Sequence, residues 1–80
     1  MDKVMEKVER YKVLSETFLL KDIPIFIRDL NDDFYMGHIL FVGEEKLTIQ
    51  CFGPEQRKGE KFSLRWETIL KLDEYQEVKL

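Results

Sequence analysis

The sequence is short of the residues that catalytic and metal sites require. It has one cysteine, Cys51, and one histidine, His38, among its 80 residues. A single cysteine excludes an intramolecular disulfide and a cysteine-based zinc site, and His38 has no second histidine with which to share a metal ion. A glycine-rich phosphate loop, a nucleophile elbow and a paired acid–base set are also missing. We therefore expect no enzymatic activity, no bound metal and no cofactor.

Long apolar runs are missing as well. No run approaches the roughly 20 residues of a membrane span, and the first ten residues, MDKVMEKVER, contain no apolar signal-peptide core. These two features predict a cytoplasmic protein without a membrane partner.

An excess of positive charge is also absent, since 13 basic residues face 16 acidic ones and the net charge is −3. The chain as a whole does not attract nucleic acid, so any nucleic-acid surface has to be local. The surplus acid lies mid-sequence, near two predicted turns, at Asp29, Asp32, Asp33, Glu44 and Glu45.

The first segment has the pattern of an amphipathic helix over residues 1–20. Its apolar residues recur at spacings of three and four, which predicts one buried stripe. The stripe consists of Val4, Val8, Tyr11, Leu14 and Phe18. Pro24 predicts that the helix ends near Leu20. The stripe either packs on the rest of the domain or serves as a dimerisation or partner helix.

From Pro24 the apolar pattern becomes that of strands. Five short segments are rich in β-branched and aromatic residues, at 24–28, 34–42, 46–52, 60–65 and 68–72. Gly37 interrupts the second and predicts a bend there. Because the connections are short, we expect antiparallel pairing in a strongly bent sheet.

The last two strand segments form the stretch FSLRWETILKL, residues 62–72. It is predicted to be a hairpin with Arg65 and Trp66 at its turn, where Asn-Gly or Asp-Gly would be the usual choice. We therefore expect these two residues to lie on a functional or assembly surface.

Together these patterns predict a single mainly β domain of the small α+β class, spanning residues 1–80. Its parts are the helix at 1–20, a five-stranded, SH3-like open barrel at 24–73 and a charged tail at 74–80.

The apolar skeleton is similar to that of the Sm and Sm-like (LSm) superfamily. Pro24-Ile25-Phe26-Ile27, Tyr35 and Gly37-His38-Ile39 match its first motif, and Leu64-Arg65-Trp66 followed by Glu67-Thr68 matches the spacing of its second. The chain resembles a divergent, archaeal-type member. The resemblance covers about residues 9–73.

The departures concern the base-binding positions of that family. The three that follow the second strand correspond to Gly43, Glu45 and Leu47, and none is retained. Arg65 matches the arginine that faces the base, but Trp66 replaces the glycine after it. Asp29 occupies a usually apolar position, which predicts a bulge or a shifted register in the first strand.

The resemblance implies a homo-oligomeric ring, joined through edge strands 60–65 and 68–72, that binds single-stranded RNA as a ribonucleoprotein. The RNA-binding candidates are Arg65, Trp66 and Lys46. One alternative is a scaffolding oligomer that has lost the uridine site. Another is a monomeric SH3-like peptide binder with a groove formed by Phe34, Tyr35 and Trp66.

Overall fold

A computed structural model describes the backbone of residues 3–76 and the side chains of residues 5–76. The elements are α1 (Lys3–Leu20), β1 (Ile25–Asp29), β2 (Phe34–Val42), β3 (Lys46–Gly53), β4 (Lys61–Arg65) and β5 (Ile69–Glu74). Two 3-10 turns, Glu55–Arg57 and Trp66–Thr68, flank β4. The predicted fold class, a helix followed by a bent five-stranded antiparallel sheet, is confirmed. Residues 1–2 and 77–80, which include most of the predicted charged tail, lie outside the described residues.

Helix α1 ends at Leu20, as Pro24 predicts. Asp22 takes a left-handed conformation at φ 55°. The Ile23 N–H donates to the Phe18 carbonyl, and the Asp22 N–H donates to the Leu19 carbonyl. These bonds form a Schellman motif that satisfies the last helical carbonyls. The helix is thus closed before the chain enters β1.

The predicted apolar stripe packs on the sheet. Phe18 is buried, and Val8, Tyr11 and Leu14 are half-buried against the same core. The Val4 side chain lies outside the described residues. The core-facing interpretation of the helix is therefore confirmed for the last three turns of the stripe.

The sheet order is β4-β3-β2-β1-β5, so the two edge strands are β4 and β5. The predicted hairpin over residues 62–72 is therefore wrong. Its strands are joined by the 3-10 turn Trp66–Thr68 but pair with β3 and β1, respectively. The 3-10 turn, which begins with the buried Trp66, carries the chain from one edge of the sheet to the other.

This connection requires a strongly curved sheet. Four strand spacings of about 4.8 Å would separate the edges of a flat sheet by about 19 Å. The four steps from Arg65 to Ile69 span at most about 14 Å when fully extended, and a 3-10 turn is shorter still. The two edges therefore approach each other, but they do not hydrogen-bond within the part of the chain that is described.

Gly37 of β2 lies against the backbone of β3 without room for a side chain. A Cβ atom at this position would overlap the Gln50 carbonyl oxygen and lie 2.9 Å from the Cys51 Cα. The register of the two strands shifts between Met36 and Gly37. The glycine thus permits the close approach and the predicted bend.

The core lies on the inner face of the sheet. It comprises Phe18, Ile25, Ile27, Tyr35, Ile39, Leu47, Ile49, Cys51, Leu64, Trp66, Ile69 and Leu72.

No helix within residues 3–76 is long and apolar enough to cross a membrane.

Candidate functional site

Trp66 belongs to the core, although it was a candidate for stacking on RNA. Only 2% of the residue is exposed. Its indole N–H donates to the Gly43 carbonyl at 2.9 Å, and its backbone N–H donates to the Glu45 carbonyl at 3.2 Å. Both ring faces are buried, so Trp66 is not available to stack on a base, and the prediction that it lies on the surface is wrong.

Arg65 is exposed at the end of β4. Its Nε lies 2.6 Å from Oε1 of Glu67. The hydrogen bond that Arg65 donates to Glu67 raises the pKa of Arg65 and lowers the pKa of Glu67. The Arg65 guanidinium is therefore paired with a carboxylate two residues along the chain.

Lys46 lies directly opposite Arg65. The two are cross-strand partners in the β3–β4 pair, next to the partners Leu47 and Leu64. Because the leucines point into the core, the two basic side chains point to the outer face. Tertiary structure thus brings Lys46 and Arg65 together on the surface, with Trp66 buried behind them.

Two acidic residues act on this basic pair. Glu67 is bonded to Arg65, and Glu45 adds to the raised pKa of Arg65, whereas Glu44 lies 3.8 Å from Lys12 of the helix. The charges near the end of β4 are therefore nearly balanced. A phosphate would have to compete with carboxylates for these cations.

The outer face of β2, next to β3 in the sheet, carries an exposed aromatic ring that sequence reasoning missed. Phe41 is 63% exposed. Strict alternation from the buried Tyr35 and Ile39 places residue 41 inside, but the register shifts between Ile39 and Phe41, so Val42 pairs with the buried Leu47 instead. A bulge reverses the faces beyond it, and an apolar run gives no signal of that.

A shallow groove of 370 Å³ lies beside this ring. It is lined by Phe41, Gly43, Glu44, Glu45, Lys46 and Thr48. The groove shares Lys46 with the basic pair, so the aromatic ring and the cations form one continuous surface.

Asp29 explains the irregularity expected in the first strand. The β1–β5 register shifts between Arg28 and Asp29, which confirms the predicted bulge. The buried carboxylate of Asp29 accepts hydrogen bonds from the backbone N–H groups of Asn31 and Asp33 and from the Tyr35 hydroxyl. Burial and this bond to Asp29 raise the pKa of Tyr35 to about 12.

The SH3-like peptide groove is not formed as predicted. Of its three aromatic residues, Tyr35 and Trp66 are buried and only Phe34 is exposed. Arg57 lies over the Tyr35 ring at 4.5 Å and also pairs with Asp33 at 3.2 Å. This surface is therefore closed by a side chain of the 3-10 turn before β4.

The remaining chemically reactive side chains are isolated. Burial raises the pKa of the Cys51 thiol, and Cys51 packs in the core as expected for a small apolar residue. His38 Nδ1 lies 3.7 Å from the Asp22 carboxylate. No group of three or more His, Cys, Asp or Glu residues within the described range is arranged to hold a metal ion.

Comparison with protein-family models and with curated proteins finds no significant match to this sequence.

Proposed function

We propose that this chain is the subunit of an Sm-like homo-oligomeric ring that binds single-stranded RNA. The observation that carries the proposal is the position of β4 and β5. They are consecutive in sequence but form the two opposite edges of one bent sheet. Such a sheet is suited to head-to-tail pairing of one subunit's β4 with the next subunit's β5, which is a heterologous contact that generates rings when the rotation closes.

The backbone groups available for this pairing follow from the hydrogen bonds of each edge strand. The Glu60 carbonyl accepts a hydrogen bond from the Cys51 N–H of β3, and the Trp66 N–H donates to the carbonyl of Glu45, directly before β3. By antiparallel alternation, the N–H and C=O groups of Lys61 and Ser63 therefore point away from the sheet. Directly after β5, the Tyr75 N–H donates to the Pro24 carbonyl, and by the same alternation the N–H and C=O groups of Leu72 lie on the free edge. Unpaired edges of this kind are liabilities unless they are covered.

Assembly would also concentrate the basic pair. A ring repeats Lys46 and Arg65 once per subunit, and sites repeated on one particle raise the overall affinity for a strand that reaches several of them. The affinity for RNA then depends on the basic pairs of several subunits together and not on the small positive charge of one subunit. The loss of the three other base-binding positions fits an RNA site that differs from the family's uridine pocket.

The assembly is tested by light scattering of the wild type and of Ser63→Pro. A proline here removes one outward N–H, which an edge strand tolerates, so the monomer should still fold. We expect multiples of the 9.7 kDa subunit for the wild type and for the control Ser63→Ala, and a folded monomer for Ser63→Pro. A wild type that is monomeric at micromolar concentration would refute the ring.

RNA binding is tested with labelled oligouridine at low and moderate salt. We expect Arg65→Ala and Lys46→Ala each to weaken binding without a change in the circular dichroism spectrum. Wild-type protein that forms the oligomer but does not bind would refute the RNA part alone.

The second candidate is a scaffolding ring without RNA. Two contacts favour this candidate. The Trp66 indole is hydrogen-bonded to Gly43, and Arg65 is paired with Glu67. In that case Arg65→Ala changes the oligomer mass and the wild type binds no RNA at either salt concentration.

A further inference from the structure

Helix α1 carries apolar side chains on the side that faces away from the sheet. Val13 is 63% exposed and Leu20 is 87% exposed, and neither is among the described residues that pack in the core. The two residues are seven apart, so they lie almost in line along the outer side of the helix. A surface helix normally presents polar residues on this side. The outer side of α1 thus has the features of a second contact surface.

A depression of 500 Å³ lies beside these side chains. Four of the residues that line it have the spacing i, i+3, i+4 and i+7, namely Arg10, Val13, Leu14 and Thr17. Residues at this spacing surround the hole that receives a side chain of a second helix in a helix pair. The shape of the surface therefore fits a helix. We call the line of Arg10, Val13, Thr17 and Leu20 the outer seam.

The charges that flank the outer seam are divided by sign. At 3.6 residues per turn, Glu9 and Glu16 lie on one flank, and Arg10 and Lys21 lie towards the other. The Lys21 N–H donates to the Thr17 carbonyl at 3.0 Å, so the backbone is still helical at Lys21. Within residues 5–76, no salt bridge occupies Arg10, Glu16 or Lys21. These charges are therefore available to a neighbouring molecule.

We propose that the outer seam pairs with the outer seam of a second copy of this chain, with the two helices parallel. A two-fold axis parallel to the helices places the acidic flank of each copy against the basic flank of the other. Glu9 then faces Arg10 of the second copy. Glu16 faces Lys21 of the second copy, five residues further along, as flanking charges do in parallel helix pairs.

The signs of these charges determine both the occupant and the orientation. Two antiparallel helices would place Glu9 against Glu16 of the second copy, and like charges in contact are unfavourable. The parallel arrangement instead gives each of these charges a partner of opposite sign. Because the outer seam is complementary to itself, a second copy covers it without any other protein.

The contact is short, and its affinity is therefore low. The residue one heptad before Val13 is Glu6, so the apolar part of the seam consists of two residues per helix. The polar side chains of Arg10 and Thr17 lower the stability of the pair further. One such contact does not hold two subunits together at micromolar concentration. Light scattering of Ser63→Pro thus reports on β4 and β5 alone, and the inference does not rest on the proposed ring.

Disulfide trapping detects a weak contact of this kind. We expect Val13→Cys and Leu20→Cys to form cross-linked dimers under a mild oxidant such as copper–phenanthroline, because a parallel pair brings each position to its own counterpart. Met5→Cys is the matched control, since Met5 is equally exposed (62%) but lies roughly 100° around the helix from the seam. The native cysteine, Cys51, is buried and does not interfere. The trapping is repeated in the Ser63→Pro background, where edge pairing is removed.

Charge exchange tests the ion pairs. In the Leu20→Cys background, we expect Glu16→Lys and Lys21→Glu each to slow cross-linking roughly 2- to 30-fold, since the two-fold axis doubles the loss of one exposed ion pair. The combined variant Glu16→Lys with Lys21→Glu restores the pair with its signs exchanged, and it should cross-link at the rate of Leu20→Cys alone. Glu55→Lys changes the net charge as Glu16→Lys does, but outside the seam, and should have no effect.

Each other result contradicts a defined part of the proposal. If Val13→Cys and Leu20→Cys cross-link no faster than Met5→Cys, the seam is refuted and the proposed ring stands. Cross-linking through Val13→Cys alone refutes the parallel orientation, because an antiparallel pair centred on Val13 brings Leu20 to Glu6. Failure of the combined charge variant to recover refutes the ion pairs. A monomeric wild type whose two cysteine variants cross-link refutes the ring and leaves the seam standing.

Discussion

The indole nitrogen of Trp66 donates a hydrogen bond to the carbonyl oxygen of Gly43 at 2.9 Å. The bond ties the turn between β4 and β5 to the turn between β2 and β3, which are far apart in the sequence. It also brings the Trp66 side chain to Gly43, a position that the family resemblance assigns to base binding. Trp66 thus stabilises this end of the sheet by joining the two turns.

Replacing Trp66 with phenylalanine should destabilise the fold without affecting RNA. The variant loses the hydrogen bond to Gly43 and leaves a small cavity, so we expect the free energy of unfolding to fall by about 1–3 kcal/mol. Urea denaturation measures this change. The RNA affinity of the folded variant should equal that of the wild type because Trp66 is buried. A large loss of affinity would show that the indole of Trp66 contacts RNA.

Replacing Glu67 with glutamine should strengthen RNA binding. Glu67 holds the Arg65 guanidinium at 2.6 Å, and removing its charge frees Arg65 for phosphate. The slope of log affinity against log salt should then steepen by about 0.7 for each new contact with a single strand. Glu55→Gln removes the same charge from the 3-10 turn before β4 and serves as the control. An equal effect of the two variants would mean that only net charge matters.

Alanine at Gly37 should disrupt the sheet far more than alanine at Gly59. The new Cβ at Gly37 would meet backbone atoms of Gln50 and Cys51, and these cannot move without parting β2 from β3. We expect a loss of more than about 3 kcal/mol. Gly59 has φ +85° and open space around it, so its substitution should cost only about 1–2 kcal/mol of backbone strain. Urea denaturation compares the two, and equal losses would contradict the predicted clash.

The ionisation of Tyr35 should make the fold sensitive to alkaline pH. Burial and the bond to Asp29 raise the pKa of Tyr35 from 10.0 to about 12, so the folded state favours the neutral phenol. This contribution to stability is fully present below pH ~10 and is lost as the pH rises towards 12. A spectrophotometric titration of tyrosinate in the wild type and in Tyr35→Phe isolates the step. A difference between the two that titrates near pH 10 would contradict the prediction.

Local signals determined most of the fold in advance. The stripe from Val8 to Phe18, the stop before Pro24 and the bend at Gly37 follow from spacing and from backbone chemistry that act within a few residues. The bulge at Asp29 was also predictable, since an acidic residue stood at an otherwise apolar position. The hairpin over residues 62–72 was not, because a short connection indicates which strands are neighbours in sequence but not which are neighbours in the sheet.

The candidate site was also predictable from the sequence only in part. Sequence alone determined that the basic residues are few and that Arg65 and Trp66 stand where the fourth strand ends. Tertiary structure decided that Lys46 lies opposite Arg65, that Trp66 is core and that Phe41 is on the surface. The physical reason is curvature: the sheet bends until its two edges are joined by a three-residue turn, and a single bulge between Ile39 and Phe41 exchanges inside for outside. Both effects arise from contacts between strands, which the order of residues along any one strand does not encode.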